Sequence, residues 1–279
     1  MPSYRRLIED GTKTLYEKSD TPRIDVELLL QHVLKQPLAW LISHGDSEAT
    51  AQHSKDFFEL IKQRFEGRPV AYILGYRDFW TLRLRVDENV LIPRPDTETL
   101  VEHALELIPN SQPQAILDLG TGSGAIALSI AKERPMSQVL ATDKSIDALD
   151  IARHNAHENK LENVRFIDSD WFSAIETKLQ FDLIASNPPY IEAEDSHLED
   201  LSFEPDIALV SDENGIGDLR RIIEQARHYL VTGGHIILEH GFEQQELVGQ
   251  ILSSNGYQNI RYHEDINQLP RCTSARWLP

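Results

Sequence analysis

The sequence predicts an α/β protein: a doubly wound, mostly parallel sheet of seven strands, preceded by a small helical bundle and a β-hairpin linker. Three observations carry this. From residue 114 onward, short apolar runs alternate with stretches of helical period, the pattern of a parallel sheet covered on both faces. A glycine-rich turn, "DLGTGSGA" at 118–125, falls between the first such run and the first such helix. Before residue 68 the periodicity is helical throughout.

Residues 1–67 read as helices. Leu7, Ile8 and Leu15 recur at helical spacing, and "TPRIDVELLLQHVL" opens with Thr21 as N-cap and Pro22 at the first helical position. "LAWLISH" is a third short helix. A fourth, "SEATAQHSKDFFELIKQRFEG", is expected to open at Ser47 and close at Gly67. Residues 68–95 form the linker. In "FWTLRLRV" Leu82, Leu84 and Val86 alternate with Arg83 and Arg85, so a strand is expected there, turning at "DEN" and returning through "VLI" as a hairpin. "PRPDTE" breaks the chain and "TLVEHALELI" is an amphipathic helix.

The third domain, 96–279, follows. "QAILDLG", "QVLATD", "VRFIDSD", "FDLIASN", "GGHIILEH", "YQNIRYHED" and "TSARWLP" are the seven strands. "GAIALSIAKE", "IDALDIARHNAHE", "DLRRIIEQARHYL" and "QQELVGQILSSN" are helices between them.

Composition narrows the function. The 279-residue chain carries 27 basic and 45 acidic residues, a formal net charge of -18. Phosphate binding relies on clustered Lys and Arg, so a general nucleic-acid surface is not expected and a basic or protein partner is. One cysteine, Cys272, allows no internal disulfide or cysteine-based metal site. The start has no apolar core of signal-peptide type and no run reaches membrane-span length. The expectation is a cytoplasmic protein, without a membrane partner and without a metal.

In the glycine turn, Gly120, Gly122 and Gly124 permit a tight bend and close backbone approach to a ligand. Asp143 ends the next strand, roughly 20 residues on, where a carboxylate accepts hydrogen bonds from ribose hydroxyls. Gly120, Gly122 and Ala125 also fit the dinucleotide pattern, so the turn alone leaves open which adenosine-bearing cofactor it serves.

Asp118-x-Gly-x-Gly-x-Gly, Asp143, Asp170-Trp171 and Asn187-Pro188-Pro189-Tyr190 fall at the ends of four successive strands. That order resembles the class I S-adenosylmethionine-dependent methyltransferases. Asn-Pro-Pro-Tyr marks the subset that methylates planar nitrogens: adenine N6, cytosine N4 or the glutamine side-chain amide. The physical need is plain. An amide nitrogen is a poor nucleophile with two N–H groups to position. Asn187 accepts one through its side-chain oxygen and the Pro188 carbonyl accepts the other, while the prolines keep both acceptors rigid. These acceptors also stabilise the positive charge that grows on nitrogen. Tyr190 packs on the planar group. No strong general base is required if the proton leaves after methyl transfer.

"GRPVAYILGYRDFW" (67–80), "VLIPRPDTETLVE" (90–102) and "FEPDIALVSDENGIGDLRRI" (203–222) resemble the protein-(glutamine-N5) methyltransferases that act on peptide chain release factors. The resemblance covers essentially the whole chain. Phe203, where the family often has Tyr, is a conservative departure. The resemblance implies methylation of the glutamine in the Gly-Gly-Gln loop of class I release factors. S-adenosylmethionine would be the cofactor and S-adenosylhomocysteine the product, with the helical domain and linker holding the release factor and the chain acting as a monomer. It also implies that Gly120, Thr121, Gly122, Ser123 and Gly124 line the methionine part of the cofactor. Asp143 takes the ribose, Trp171 flanks the adenine beside Asp170, and Asn187 adjoins the cofactor. Asn187, Pro188, Pro189 and Tyr190 hold the glutamine, with Asn187, Pro188 and Tyr190 as the catalytic group. Arg94 and Glu98 shape the pocket rim and Arg94 touches substrate; an ion pair bracing the linker and a first-turn helix acid are the alternatives for these two.

Other residues are expected to be structural. His154 and His157 lack a metal-site pattern and are solvated. His240 and Cys272 pack, as do Trp40 and Trp80, and Arg83 and Arg85 form a polar strand face. Adenine-N6 methylation of DNA or RNA is the rival reading; the net charge and the lack of a basic channel speak against it. A cofactor-binding adaptor without catalysis is a third, opposed by the intact Asn-Pro-Pro-Tyr.

Overall fold

Five helices make up the first of two units in the computed structural model, which describes residues 1–279 apart from the side chains of His197, Glu199 and Asp200. This unit spans Met1–Tyr76 and the second spans Arg77–Pro279. Helix α1 (Tyr4–Leu15) is capped by Ser3, whose hydroxyl accepts the Arg6 N–H at 3.2 Å. Helix α2 (Pro22–Leu34) starts on Pro22, but Thr21 turns its hydroxyl to Asp25 Oδ1 instead of capping. Helix α3 (Leu38–His44) is the third. Helix α4 (Ala51–Phe65) opens on Thr50, which accepts the His53 N–H at 3.0 Å, and not on Ser47. Ser47 is used elsewhere, its carbonyl receiving the Tyr4 N–H as residues 3 and 48 form a short bridge.

Helix α5 (Val70–Leu74) lies where linker is expected. Its Val70, Ile73 and Leu74 pack on a core of Leu7, Leu15, Val26, Leu29, Leu30 and Phe57. The chain therefore divides at Tyr76/Arg77, after this helix. Arg64 Nε meets Asp25 Oδ2 at 2.7 Å and ties α4 to α2.

The hairpin pairs β1 (Tyr76–Phe79) with β2 (Leu82–Arg85). Leu82 and Leu84 are buried and Arg83 and Arg85 exposed, as alternation requires. The turn, however, lies at Trp80–Thr81, not at Asp87–Asn89. Trp80 adopts a left-handed φ of 54°, and its N–H donates to Glu98 Oε1 at 2.7 Å. Val90–Ile92 form no return strand. The Ile92 N–H is taken by Glu204 Oε2 at 3.0 Å and Pro93 has no donor, so no ladder extends there.

Beyond α6 (Thr97–Leu107), strands and helices alternate: β3 (Ala115–Leu119), α7 (Ala125–Glu133), β4 (Gln138–Asp143), α8 (Ile146–Glu158), β5 (Val164–Asp168) and β6 (Phe181–Ser186). A single turn, α9 (Asp212–Gly215), precedes α10 (Gly217–Ala226), β7 (Leu230–Glu239), α11 (Gln245–Ser254), β8 (Tyr257–Glu264) and β9 (Pro270–Trp277). The sheet runs β5-β4-β3-β6-β7-β9-β8. β3 to β7 are parallel, while β9 runs antiparallel to both β7 and β8.

Both faces are covered. Ile116 and Leu183 face a core with Leu100 and Val101 of α6 and Ile126 and Leu128 of α7. Leu117, Leu119 and Ile184 face another with Ile222 and Ile223 of α10 and Leu252 of α11. Strand order reverses between β3 and β6, and a crevice opens at that point beyond their carboxyl ends. Among the described residues no helix is long and apolar enough to cross a membrane.

Glu98→Ala removes the acceptor of the Trp80 N–H, a charge-assisted bond worth about 1.5–3 kcal/mol. Hydrogen exchange should show that amide exchanging at least about tenfold faster than in the wild type, with Glu98→Gln restoring most of the protection; an unchanged rate would refute the role of Glu98 in the turn.

Candidate active site

A cavity lies at the switch point. Its walls come from the turn after β3 (Gly120–Ser123), the end of β4 with Asp143–Ser145, Ser169–Trp171 after β5, and Asn187 and Pro189 after β6. Asn89–Leu91, Pro93, Arg94 and Thr97 close one side, and Ile207 and Ala208 complete the rim.

The turn is set by its donors and acceptors. Asp118 is fully buried, and its Oδ2 accepts the Thr121 hydroxyl at 2.7 Å and the Ala127 N–H at 3.2 Å. The Thr121 N–H donates to the Thr142 carbonyl at 2.8 Å, pinning the turn to β4. The Gly122 N–H donates to Asp143 Oδ2 at 2.8 Å, and the Ser145 N–H to Oδ1 at 2.9 Å. Gly120 and Gly122 have φ of 69° and 54°. A Cβ on Gly122 would meet open space, so its backbone faces the cavity bare, whereas one on Gly120 would press on the Trp171 ring at 3.3 Å. Gly124 does not line the cavity; a Cβ there would strike Leu128 at 2.9 Å and approach Ala152, which seats α7 against α8.

Burial acts on the acids here. It pushes the Asp118 carboxyl up to about 7 against the Thr121 and Ala127 hydrogen bonds, and Oδ1 has no partner among the described residues. Burial also raises Asp143, opposed chiefly by the Ser145 and Gly122 N–H donors. Asp170 lies at the rim, paired with Arg221 Nη2 at 2.9 Å, and the Trp171 Nε1–H donates to Asp218 at 3.1 Å.

Asn187 sits at the wall with its Nδ2 3.3 Å from Thr97 Oγ1, which leaves Oδ1 as the free end of the amide. Pro188 and Pro189 are buried, and only Pro189 lines the cavity. Tyr190 lies off the wall. Its hydroxyl is 3.4 Å from Glu239 Oε1, and burial raises the phenol so that it stays protonated. The Tyr190 carbonyl accepts Gln244 Nε2 at 3.1 Å, and a side chain at Gly215 would collide with that carbonyl. The loop after β6 is therefore fixed from three sides.

Several functional positions had little signal in the sequence. Glu204, buried in the segment after β6, accepts the Ile92 N–H and pairs with Arg94, so Arg94 both lines the cavity and braces it. Glu98 is not on the cavity wall and holds the hairpin turn. Asn155 on α8 donates to the carbonyls of Ser123 at 2.8 Å and Arg85 at 3.1 Å and accepts the Arg85 N–H at 2.7 Å, joining hairpin, turn and helix. Thr97 and Glu239 stand behind Asn187 and Tyr190. Thr97 and Glu204 carried a hint, through the "IPRPDTE" and "FEPDIALVSDENGIGDLRRI" stretches. His240 packs, its Nε2 2.7 Å from Thr273 Oγ1, and Cys272 is buried. His154 and His157 are exposed.

Known proteins give the same frame. A family model described as a methyltransferase domain matches residues 111–275, and one described as the PrmC N-terminal domain matches residues 6–75. A release factor glutamine methyltransferase of Aliivibrio fischeri is 44% identical over 280 residues, covering 99% of this chain and 98% of the relative. The protein of the same name from Escherichia coli is 43% identical, covering 98% and 99%. The catalytic domain of human Mettl16, solved with an RNA hairpin, superimposes with a TM-score of 0.57 at 16% identity over 77% of this chain and 82% of that one, a likeness of fold. Fold and turn together define a methyltransferase; within that class the chain belongs to the release factor glutamine methyltransferase family.

The raised Asp118 has a consequence for stability. The folded state holds a proton there between about 3.8, the ordinary value, and about 7, so this group's stabilising share is complete at low pH and lost as pH rises through 7. The melting temperature of Asp118→Asn relative to the wild type should therefore be higher at pH 8 than at pH 5; a difference independent of pH would refute the assignment.

Proposed function

We propose that this protein methylates the side-chain amide nitrogen of the glutamine in the Gly-Gly-Gln loop of class I peptide chain release factors, with S-adenosylmethionine as cofactor. The observation that carries the reading is Asn187: its donor end is engaged by Thr97, so an acceptor oxygen faces a cavity walled by the glycine turn. The name shared by the full-length relatives supplies the substrate class.

The residues suit the cofactor. Gly122 faces the cavity without a side chain. Asp143 has one N–H on each oxygen and lone pairs to spare for a ribose diol. Trp171, Leu91 and Ala148 provide apolar wall for an adenine. When bound, S-adenosylmethionine supplies a methyl group on a sulfonium, and the electrons of the broken carbon–sulfur bond stay on the sulfur of S-adenosylhomocysteine. Gly120–Ser123 hold its methionine part, Asp143 the ribose, and Asp170 and Trp171 the adenine side, while Gly124 seats the helix behind them.

Asn187 Oδ1 accepts one N–H of the substrate amide and the Pro188 carbonyl the other. This aims the nitrogen lone pair and stabilises the charge that grows on it. Pro189 lies against the planar group, Tyr190 anchors the loop from behind the wall, and Arg94 meets the substrate at the rim. The helical unit docks the release factor, and the enzyme works as a cytoplasmic monomer.

The test is mass spectrometry of unmethylated release factor incubated with this protein and S-adenosylmethionine, with oligonucleotides as a second substrate. One methyl on the Gly-Gly-Gln glutamine is expected, with the rate reduced about 10²–10³-fold in Asn187→Ala. Methylated adenine beside an untouched release factor would overturn the substrate assignment. Calorimetry of Asp143→Ala should show cofactor affinity lowered about tenfold or more, as two charge-assisted hydrogen bonds to a ribose imply; unchanged affinity would refute the ribose role.

A further inference from the structure

Two consecutive prolines stiffen a loop without anchoring it. Each ring fixes its own φ and removes the backbone N–H, so Pro188 and Pro189 offer no donor to tie the chain to a neighbour. Their ψ angles stay free. Between the Pro188 carbonyl and the Tyr190 carbonyl, rotation remains at ψ of Pro189 and at φ and ψ of Tyr190. The direction of the Pro188 carbonyl is therefore set by what grips the two ends of the motif. The sheet grips the entry: Ser186 pairs with Leu119, and its hydroxyl donates to the Leu119 carbonyl at 2.7 Å.

Gln244, in the turn between β7 and α11, grips the exit. The Gly241 N–H donates to Gln244 Oε1 at 2.9 Å, and the Gln244 N–H donates back to the Gly241 carbonyl at 2.9 Å. The acceptor end of the amide is thus fixed, and its NH₂ points the other way. There it meets two carbonyls, Tyr190 at 3.1 Å and Gly215 at 3.2 Å. A side-chain amide suits this place, with an oxygen for the donor and two N–H groups for the two carbonyls.

The second carbonyl belongs to a strained turn. Glu213, Asn214 and Gly215 are left-handed in succession, with φ of 54°, 58° and 77°. L residues enter that region singly, so such a run is held by its surroundings. It brings bare backbone against the motif: a Cβ on Gly215 would strike the Tyr190 carbonyl and lie 2.9 Å from Gln244 Nε2. Just beyond, the Ile191 N–H donates to the Leu209 carbonyl at 3.0 Å and the Ser211 N–H to the Ile191 carbonyl at 2.9 Å.

Resting on the function proposed above, we infer that Gln244 is a positioning residue for methyl transfer: its amide clamps the Tyr190 carbonyl against the turn at Gly215 and so aims the Pro188 carbonyl at an N–H of the substrate amide. Gln244 does not line the cavity and acts through the loop alone.

Gln244→Glu and Gln244→Met are compared with the wild type for hydrogen exchange, turnover, KM for release factor, and cofactor affinity by calorimetry. Gln244→Glu keeps the shape and the acceptor for the Gly241 N–H, but turns an oxygen toward the two carbonyls. Gln244→Met keeps the shape alone. In both, the Ile191 N–H should exchange at least about tenfold faster. Turnover should fall about tenfold or more, as misaimed reacting groups imply, with KM changed less than about threefold. Cofactor affinity should stay within about twofold of wild type, because the glycine turn and Asp143 stand on other strands. Wild-type turnover in either variant would overturn the inference while leaving the methyltransferase intact. So would a turnover loss with unchanged Ile191 exchange, or one matched by equal weakening of cofactor affinity, the mark of a general packing defect. If Gln244→Met fails to fold, Gln244→Glu decides by the same outcomes. A wild-type protein that leaves the release factor unmodified would overturn the functional reading and this inference with it.

Discussion

A carboxylate buried at the end of β3 organises everything downstream of it. Asp118 accepts the Thr121 hydroxyl and the Ala127 N–H, so the turn must fold back over it and α7 must start where it does. Those bonds leave the Gly122 N–H to Asp143 and bring the ends of β3 and β4 into one wall. The bare backbone facing the cavity follows from satisfying a buried acid, and the left-handed glycines are the residues that let the chain make that path.

The parallel sheet and its helices were legible because their strands are apolar runs of the right length, bounded by glycine, proline and acids at each carboxyl end. The strands from β3 to β9 fall where those runs stand. The hairpin turn was not legible. Trp80 is a bulky residue in a left-handed conformation, which no local propensity favours, and it holds that conformation beside a carboxylate 18 positions away. Helix α5 was hidden between Pro69 and Gly75, too short for periodicity to show. Of the cavity wall, Gly120, Gly122, Asp143, Trp171 and Asn187 could be read off, because their motifs sit next to strand ends. Glu239 could not, and neither could the contacts of Thr97 and Glu204, because each acts on a segment remote in the chain.

The acids of the site share one property: desolvation raises Asp118, Asp143 and Glu239 together. Each is stabilised by directed N–H or O–H donors more than by cations, which ties charge to geometry. A donor fixes direction as well as energy, whereas a cation at the surface would fix little. This suits chemistry whose main demand is that one nitrogen be aimed.

The bonds that complete the site are long in sequence. Asn187 reaches back 90 positions to Thr97, and Glu204 reaches back 112 to Ile92. Closing such loops is slow compared with local helix formation, and each must wait until the strands between have paired. The site is accordingly a late product of folding. A chain emerging from synthesis can form its glycine turn and first helices early, whereas the contact of Asn187 with Thr97 needs the loop after β6 to meet the start of α6.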